Sequence, residues 1–139
     1  MIDYNSENTF TLENEALLSN WIEQVILSEE KKLGDINFVF CDDDYLHKMN
    51  LEFLNHDTLT DVISFDYTVG KIIQGDVFIS TERVADNASD FKVSLEEELH
   101  RVMVHGILHY CGYKDKTEED AKLMRSKENH YLQLLSTID

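Results

Sequence analysis

Residues 104–115 read Val104-His105-Gly106-Ile107-Leu108-His109-Tyr110-Cys111-Gly112-Tyr113-Lys114-Asp115. His105 and His109 stand four positions apart. On a helix that spacing leaves them about 40° apart around the axis, so both imidazoles leave from one face. Leu99, Met103, Ile107 and Tyr110 recur at helical spacing on the side away from them. Val102, Val104 and Leu108 fill the flanks, which predicts a helix that is apolar nearly all round and central in the fold. Ser94, followed by Glu97, is a capping box that opens this helix, and Gly112 ends it.

Outward from that helix the pattern predicts strands upstream and one helix downstream. Asp61-Val62-Ile63-Ser64-Phe65 and Asp76-Val77-Phe78-Ile79-Ser80 are short β-branched and aromatic runs, with Gly70 marking a turn between them. Thr81 caps a helix through about Asp90, and Thr117 with Asp120 opens a last helix carrying Leu123, Met124, Tyr131, Leu134 and Leu135. Nearer the start, Thr9–Leu12 alternates and predicts a first strand. From about Glu15, Leu17, Leu18, Trp21, Ile22, Val25 and Ile26 predict a helix stopped by Gly34 after Leu33. Ile36–Phe40 predicts a strand, and Asp42-Asp43-Asp44 supplies cap chemistry for a helix to about Leu54 rather than a metal site. Helices and strands do not alternate strictly. The predicted class is α+β: a small mixed sheet of three or four strands packed with about five helices.

The chain has 139 residues and no proline, and no linker or repeat divides it, which predicts one domain over 1–139. Asp plus Glu number 28 against 12 Lys plus Arg, a net charge of −16, which excludes a basic nucleic-acid coat protein. Residues 1–70 carry 15 acidic and 3 basic groups, so the acid load sits mainly in the first half and leaves room for a local cationic site in the second. Two cysteines, Cys41 and Cys111, are too few for a disulfide scaffold and predict reduced thiols. The polar start Met1-Ile2-Asp3-Tyr4-Asn5 lacks a secretory pattern, and no apolar run approaches the roughly 18 residues of a membrane span. The expectation is a soluble, cytoplasmic protein without a membrane partner.

An i, i+4 pair of histidines is the spacing with which one helix supplies two ligands to one metal ion. The spacing also arises by chance, and hydrogen bonds to backbone carbonyls would equally satisfy two buried imidazoles. Gly106 stands where H-E-x-x-H zinc proteases carry their general base, so peptidase chemistry of that type lacks its base. Glycine inside a helix costs about 1 kcal/mol against alanine, which points to close approach by substrate or another backbone segment. Beyond Gly112 a short loop can swing the Asp115 carboxylate to the same ion. The set H-x3-H-x5-D then gives three protein ligands and an open position, the catalytic arrangement rather than the closed structural one. His47, His56, His100 and His130 are expected to be ordinary surface or packing residues.

Residues 105–115 resemble the signature H-G-x-L-H-x-x-G-Y-D-H of the YbeY family of bacterial metal-dependent endoribonucleases. Thr60-Asp61-Val62-Ile63-Ser64-Phe65 is similar to the family's T-D-V-L-S-F strand, Gly75-Asp76-Val77-Phe78-Ile79-Ser80 to its G-D-I-x-I-S strand, and Asn50 falls at the Asn of its L-N. Order and spacing agree from about Ile36 to Leu135. The resemblance implies cleavage of single-stranded RNA in ribosomal RNA maturation and ribosome quality control, with the ribosome or its proteins as partners. The His105/His109 pair on one helix face predicts one divalent ion per chain, zinc by preference with nickel or iron as alternatives, that would polarise a phosphoryl oxygen, activate a water, or both. No side chain is assigned as acid or base; a metal-bound water is the expected reactive group, and the RNA's own 2′-hydroxyl is the competing nucleophile.

Two departures stand out. The family's third histidine is Asp115 here, preceded by Lys114, and its arginine position after L-N is Leu54. A carboxylate ligand cancels one unit of the ion's charge, which should acidify a bound water less; Lys114 offsets part of this. Candidate substrate contacts are Arg101, four residues before His105 and on the same face, together with Lys114, Asn50 and Ser64, with Lys71 and Lys116 as further cations. The competing expectation is a non-catalytic metalloprotein that docks on the ribosome or a partner protein, which suits the acidic surface and the leucine.

Overall fold

The computed structural model describes residues 1–54 and 60–138, apart from the side chain of Leu54. His56 and the Leu54 side chain therefore lie outside the described residues. Four strands and five helices are present among the described residues: β1 (Ile2–Ser6), α1 (Glu15–Ser28), β2 (Lys32–Cys41), α2 (Asp43–Leu54), β3 (Val62–Asp66), β4 (Ile72–Ser80), α3 (Thr81–Phe91), α4 (Leu95–Tyr110) and α5 (Glu118–Leu135). The sheet order is β1-β2-β4-β3. β1 and β4 run parallel to β2, and β3 runs antiparallel to β4. This is the expected α+β class with a mixed sheet.

The first third of the chain differs from the sequence expectation. Thr9–Leu12 is not a strand; β1 is Ile2–Ser6, paired with Ile36–Phe40. Helix α1 stops at Ser28, and Glu30 turns the chain with φ 62°, so Gly34 is no helix stop. Gly34 instead lies inside β2, where an added Cβ would meet Ile72 Cγ2 at 2.8 Å and Ile73 O at 2.9 Å. It serves close strand packing beside the register shift between Leu33 and Ile36. The later capped elements agree: Ser94 accepts from Glu97 N, and Thr117 from Asp120 N. At α3 the capping oxygen is Ser80, which accepts from Arg83 N. The acidic triplet opens α2, where Asp43 accepts from Ser80 Oγ at 2.6 Å and from Arg83 Nη2 at 2.8 Å.

Alternation along β4 builds two layers of packing. Ile73, Val77 and Ile79 join α1 and α4 in the main core, with Trp21, Val25, Met103 and Ile107 fully buried among them. On the opposite face, Phe65 and Phe78 pack with Ile63, Leu46 and Met49 under α2. Each such apolar side chain removed from water contributes about 1.5–3 kcal/mol. Trp21 Nε1 donates to Tyr131 O at 2.7 Å, tying α1 to α5.

Two glycines set the height of α4 over the sheet. A Cβ on Gly106 would stand 3.2 Å from Val77 Cγ1 and 3.5 Å from Ser64 Oγ. The Tyr110 ring lies directly over Gly75, and its hydroxyl donates to Phe65 O at 3.1 Å and Asp76 O at 2.8 Å. The helix that carries both histidines is thereby seated on β4 beside the β3 edge. Among the described residues, no helix is long and apolar enough to cross a membrane.

Candidate metal centre

His105 and His109 project from α4 away from the core stripe, each half-buried. The chain leaves α4 through Cys111 and Gly112, whose φ of 108° suits a residue without a Cβ. Tyr113 N then donates to Leu108 O at 3.0 Å, which folds the loop back and brings Asp115 over the two imidazoles. Asp115 Oδ2 lies 3.2 Å from His105 Nε2 and 3.4 Å from His109 Nε2, and the two Nε2 atoms lie 3.0 Å apart.

The partners of the opposite ring nitrogens settle the tautomers. His109 Nδ1 lies 3.0 Å from the carbonyl of Tyr113, which only accepts, so Nδ1 carries the proton. His105 Nδ1 donates to Glu128 Oε2 at 2.7 Å across the α4–α5 interface. With Nδ1 protonated, each neutral ring turns its Nε2 lone pair toward the other and toward a carboxylate oxygen. A single proton can bridge only one edge of such a triangle, whereas a cation at its centre meets all three donors. In a tetrahedron with ligands 2.0–2.1 Å from the ion, neighbouring ligands stand about 3.3 Å apart, close to the separations found here. Among the described residues, these three side chains form a group whose ligand atoms lie within 4.8 Å of one another and could hold a metal ion.

Glu128 organises the ring from outside. It is buried in α5, and its Oε1 accepts from Arg101 Nη1 at 3.0 Å while Oε2 takes His105. Burial alone would raise this carboxyl, but the bonds from His105 and Arg101 outweigh it and hold it below the usual range. Burial alone would lower the His105 imidazole; the hydrogen bond and charge of Glu128 reverse this and hold it above its ordinary value. Sequence reasoning missed Glu128. Its signal was an acid at a helical-stripe position between Met124 and Tyr131, where a buried charge demands partners.

His105 and Asp115 open onto a cleft of about 310 Å³ among α3, α4, α5 and the start of β3, which also holds Asp61, Glu98, Arg101 and Arg125. Burial raises the Asp61 carboxyl, and burial followed by the Asp61 charge raises Glu98. Of the other residues singled out in the sequence, Lys114 is exposed on the loop beside Asp115. Ser64 lies on β3 beneath Gly106, and Asn50 is buried in α2; neither lines the cleft. Lys71 and Lys116 are exposed. A larger groove of about 650 Å³ lies between α2 and the sheet, lined by aromatic side chains such as Tyr45, Phe65 and Phe78. Of the clustered donor residues, His105 and Asp115 line the smaller cleft. Cys41 and Cys111 are free thiols, each pushed up to about 12, chiefly by burial.

An α+β fold whose central helix and following loop converge two imidazoles and a carboxylate defines a class of candidate metal-binding proteins. Residues 2–136 match the family described as Endoribonuclease YbeY. A protein of that name from Flavobacterium johnsoniae is 66% identical over 129 residues, covering 93% of each chain. Another from Flavobacterium psychrophilum is 60% identical over 134 residues, covering 96% of each. The solution structure of TM1509 from Thermotoga maritima superimposes with a TM-score of 0.70 at 26% identity, covering 97% of this chain and 89% of that one. The chain belongs to the YbeY endoribonuclease family.

Proposed function

We propose that His105, His109 and Asp115 hold one divalent ion, zinc in preference to nickel or iron, and that the chain cuts single-stranded ribosomal RNA there. On this reading it works in the cytoplasm, on or beside the ribosome, in rRNA maturation and quality control. Family membership supports the RNA-cleaving part. The observation that carries the ion is the triangle of lone pairs, Nε2, Nε2 and Oδ2, with edges of 3.0–3.4 Å.

His105, His109 and Asp115 would hold the ion, which when bound would supply Lewis acidity toward a phosphoryl oxygen and activate a water. Glu128 and the Tyr113 carbonyl hold the Nδ1 protons, which keeps both Nε2 lone pairs aimed inward. Arg101 neutralises Glu128 and so keeps its oxygens ordered rather than reaching for substrate. Asp115, on an exposed loop, closes the triangle from the solvent side.

Native mass spectrometry of protein prepared without chelator should show one divalent ion per chain. Removing it should abolish cleavage of a single-stranded RNA, and zinc should restore it. The double variant H105A/H109A should lose the ion and the activity but keep its circular dichroism spectrum, since the core does not depend on the metal. A chain that holds the ion yet leaves RNA intact would support the docking metalloprotein instead.

A further inference from the structure

We infer that Arg125 is the substrate-positioning cation of the cleft beside His105, and that it binds a phosphate of the RNA backbone. The inference rests on the RNA-cleaving reading above. Among the described residues lining the cleft, two are cations, Arg101 and Arg125. They are not equivalent. Arg101 has a side chain only 16% exposed and is held by Glu128 Oε1 at 3.0 Å. Arg125 has a side chain 58% exposed, and among the described residues its carboxylate contact is 3.9 Å, to the Glu128 oxygen that Arg101 already occupies. Its guanidinium is anchored at the rim of the cleft without being consumed there.

The charge around it makes such a group necessary. Asp61, Glu98, Asp115 and Glu128 all face the cleft, on a chain with a net charge of −16. A phosphodiester approaching His105 meets four carboxyl groups. Glu128 is neutralised by Arg101 and His105, and a divalent ion would offset Asp115. Repulsion from the Asp61 and Glu98 side then falls to Arg125 to counter. Arginine presents a planar fork of donors that matches two phosphate oxygens at once, which fixes the orientation of the backbone as well as attracting it. The cleft volume of about 310 Å³ also limits the occupant to a short stretch of chain rather than a folded surface.

Cleavage and binding of a short single-stranded oligoribonucleotide by the zinc-loaded protein test this. Arg125→Ala should raise KM and the anisotropy Kd about 10-fold or more while kcat changes far less. The slope of log K against log salt should fall by about 0.7, the loss of one phosphate contact on a single strand. Arg125→Lys should recover most of the binding and the salt slope, because it keeps the charge and loses only the fork. Zinc stoichiometry and melting temperature should match wild type throughout, and Lys32→Ala, an exposed cation on β2, should change nothing. If wild type binds and cuts the RNA and Arg125→Ala does so with the same KM and salt slope, the assignment is overturned. It is also overturned if Arg125→Ala loses zinc, which would make the residue a support for Glu128. A zinc-loaded wild type that neither binds nor cuts RNA would instead sink the functional reading itself.

Discussion

Glu128 places Oε2 2.7 Å from Nδ1 of His105, joining α5 to the helix that carries both imidazoles. Residues 23 positions apart thus share one proton-defining contact. Replacing Glu128 by Gln leaves one oxygen to serve both His105 and Arg101 and introduces a donor where both partners donate. Zinc affinity should fall about 10–100-fold with the fold retained. Competition with a chromogenic chelator measures this; unchanged affinity would show that the tautomer is held without Glu128.

Asp115 lies within 3.4 Å of both Nε2 atoms but sits on an exposed loop. Asp115→Ala should weaken zinc binding by more than about 100-fold, beyond the effect of losing an outer partner. Asp115→His should restore it. Asp115→Asn separates the alternatives: an amide is a poor ligand but a fair hydrogen-bond acceptor, so affinity kept by Asn would reduce Asp115 to an orienting role.

Gly75 underlies the Tyr110 ring. An added Cβ would stand 2.7 Å from Tyr110 Cζ and press on the Phe65 carbonyl, which the antiparallel pairing of β3 with β4 prevents from yielding. Gly75→Ala should cost about 3 kcal/mol by denaturant unfolding. Gly106→Ala meets Val77 Cγ1 at 3.2 Å, and a helix-propensity gain of about 1 kcal/mol opposes that crowding. Its net effect should stay within about 1 kcal/mol.

Glu29 gathers the hydroxyls of Tyr113 and Tyr131 and the ammonium of Lys127 at the end of α1. Burial alone would raise its carboxyl, but these partners outweigh burial and hold it below the usual carboxylate range. A depressed folded pKa stabilises the protein above the unfolded value, and that contribution disappears as pH falls through the folded one. Glu29→Gln should therefore cost on the order of 1 kcal/mol at pH 7. The gap between wild type and variant should close as pH drops below about 4.5. Melting curves from pH 7 to pH 3 check the sign; a gap that widens in acid would refute it.

The sequence by itself determined the elements whose signals are local. Ser94 and Thr117 cap α4 and α5 through bonds three residues long, and the helical period alone puts His105 and His109 on one face. The runs 61–65 and 76–80 are legible as strands because they are short and rich in β-branched and aromatic residues. Tertiary structure decided what depends on distant partners. Ile2–Ser6 and Thr9–Leu12 both alternate apolar and polar residues, but only Ile2–Ser6 becomes a strand, because β2 offers it a parallel edge, whereas Thr9–Leu12 instead buries Leu12. Gly34 resembles a helix stop until Ile72 and Ile73 crowd it into β2. Only the turn at Gly112 and the packing of α5 on α4 bring Asp115, Glu128 and Arg125 to the cleft at His105. Periodicity and capping act within a few residues, while a site made of lone pairs and countercharges exists only after the chain has closed on itself.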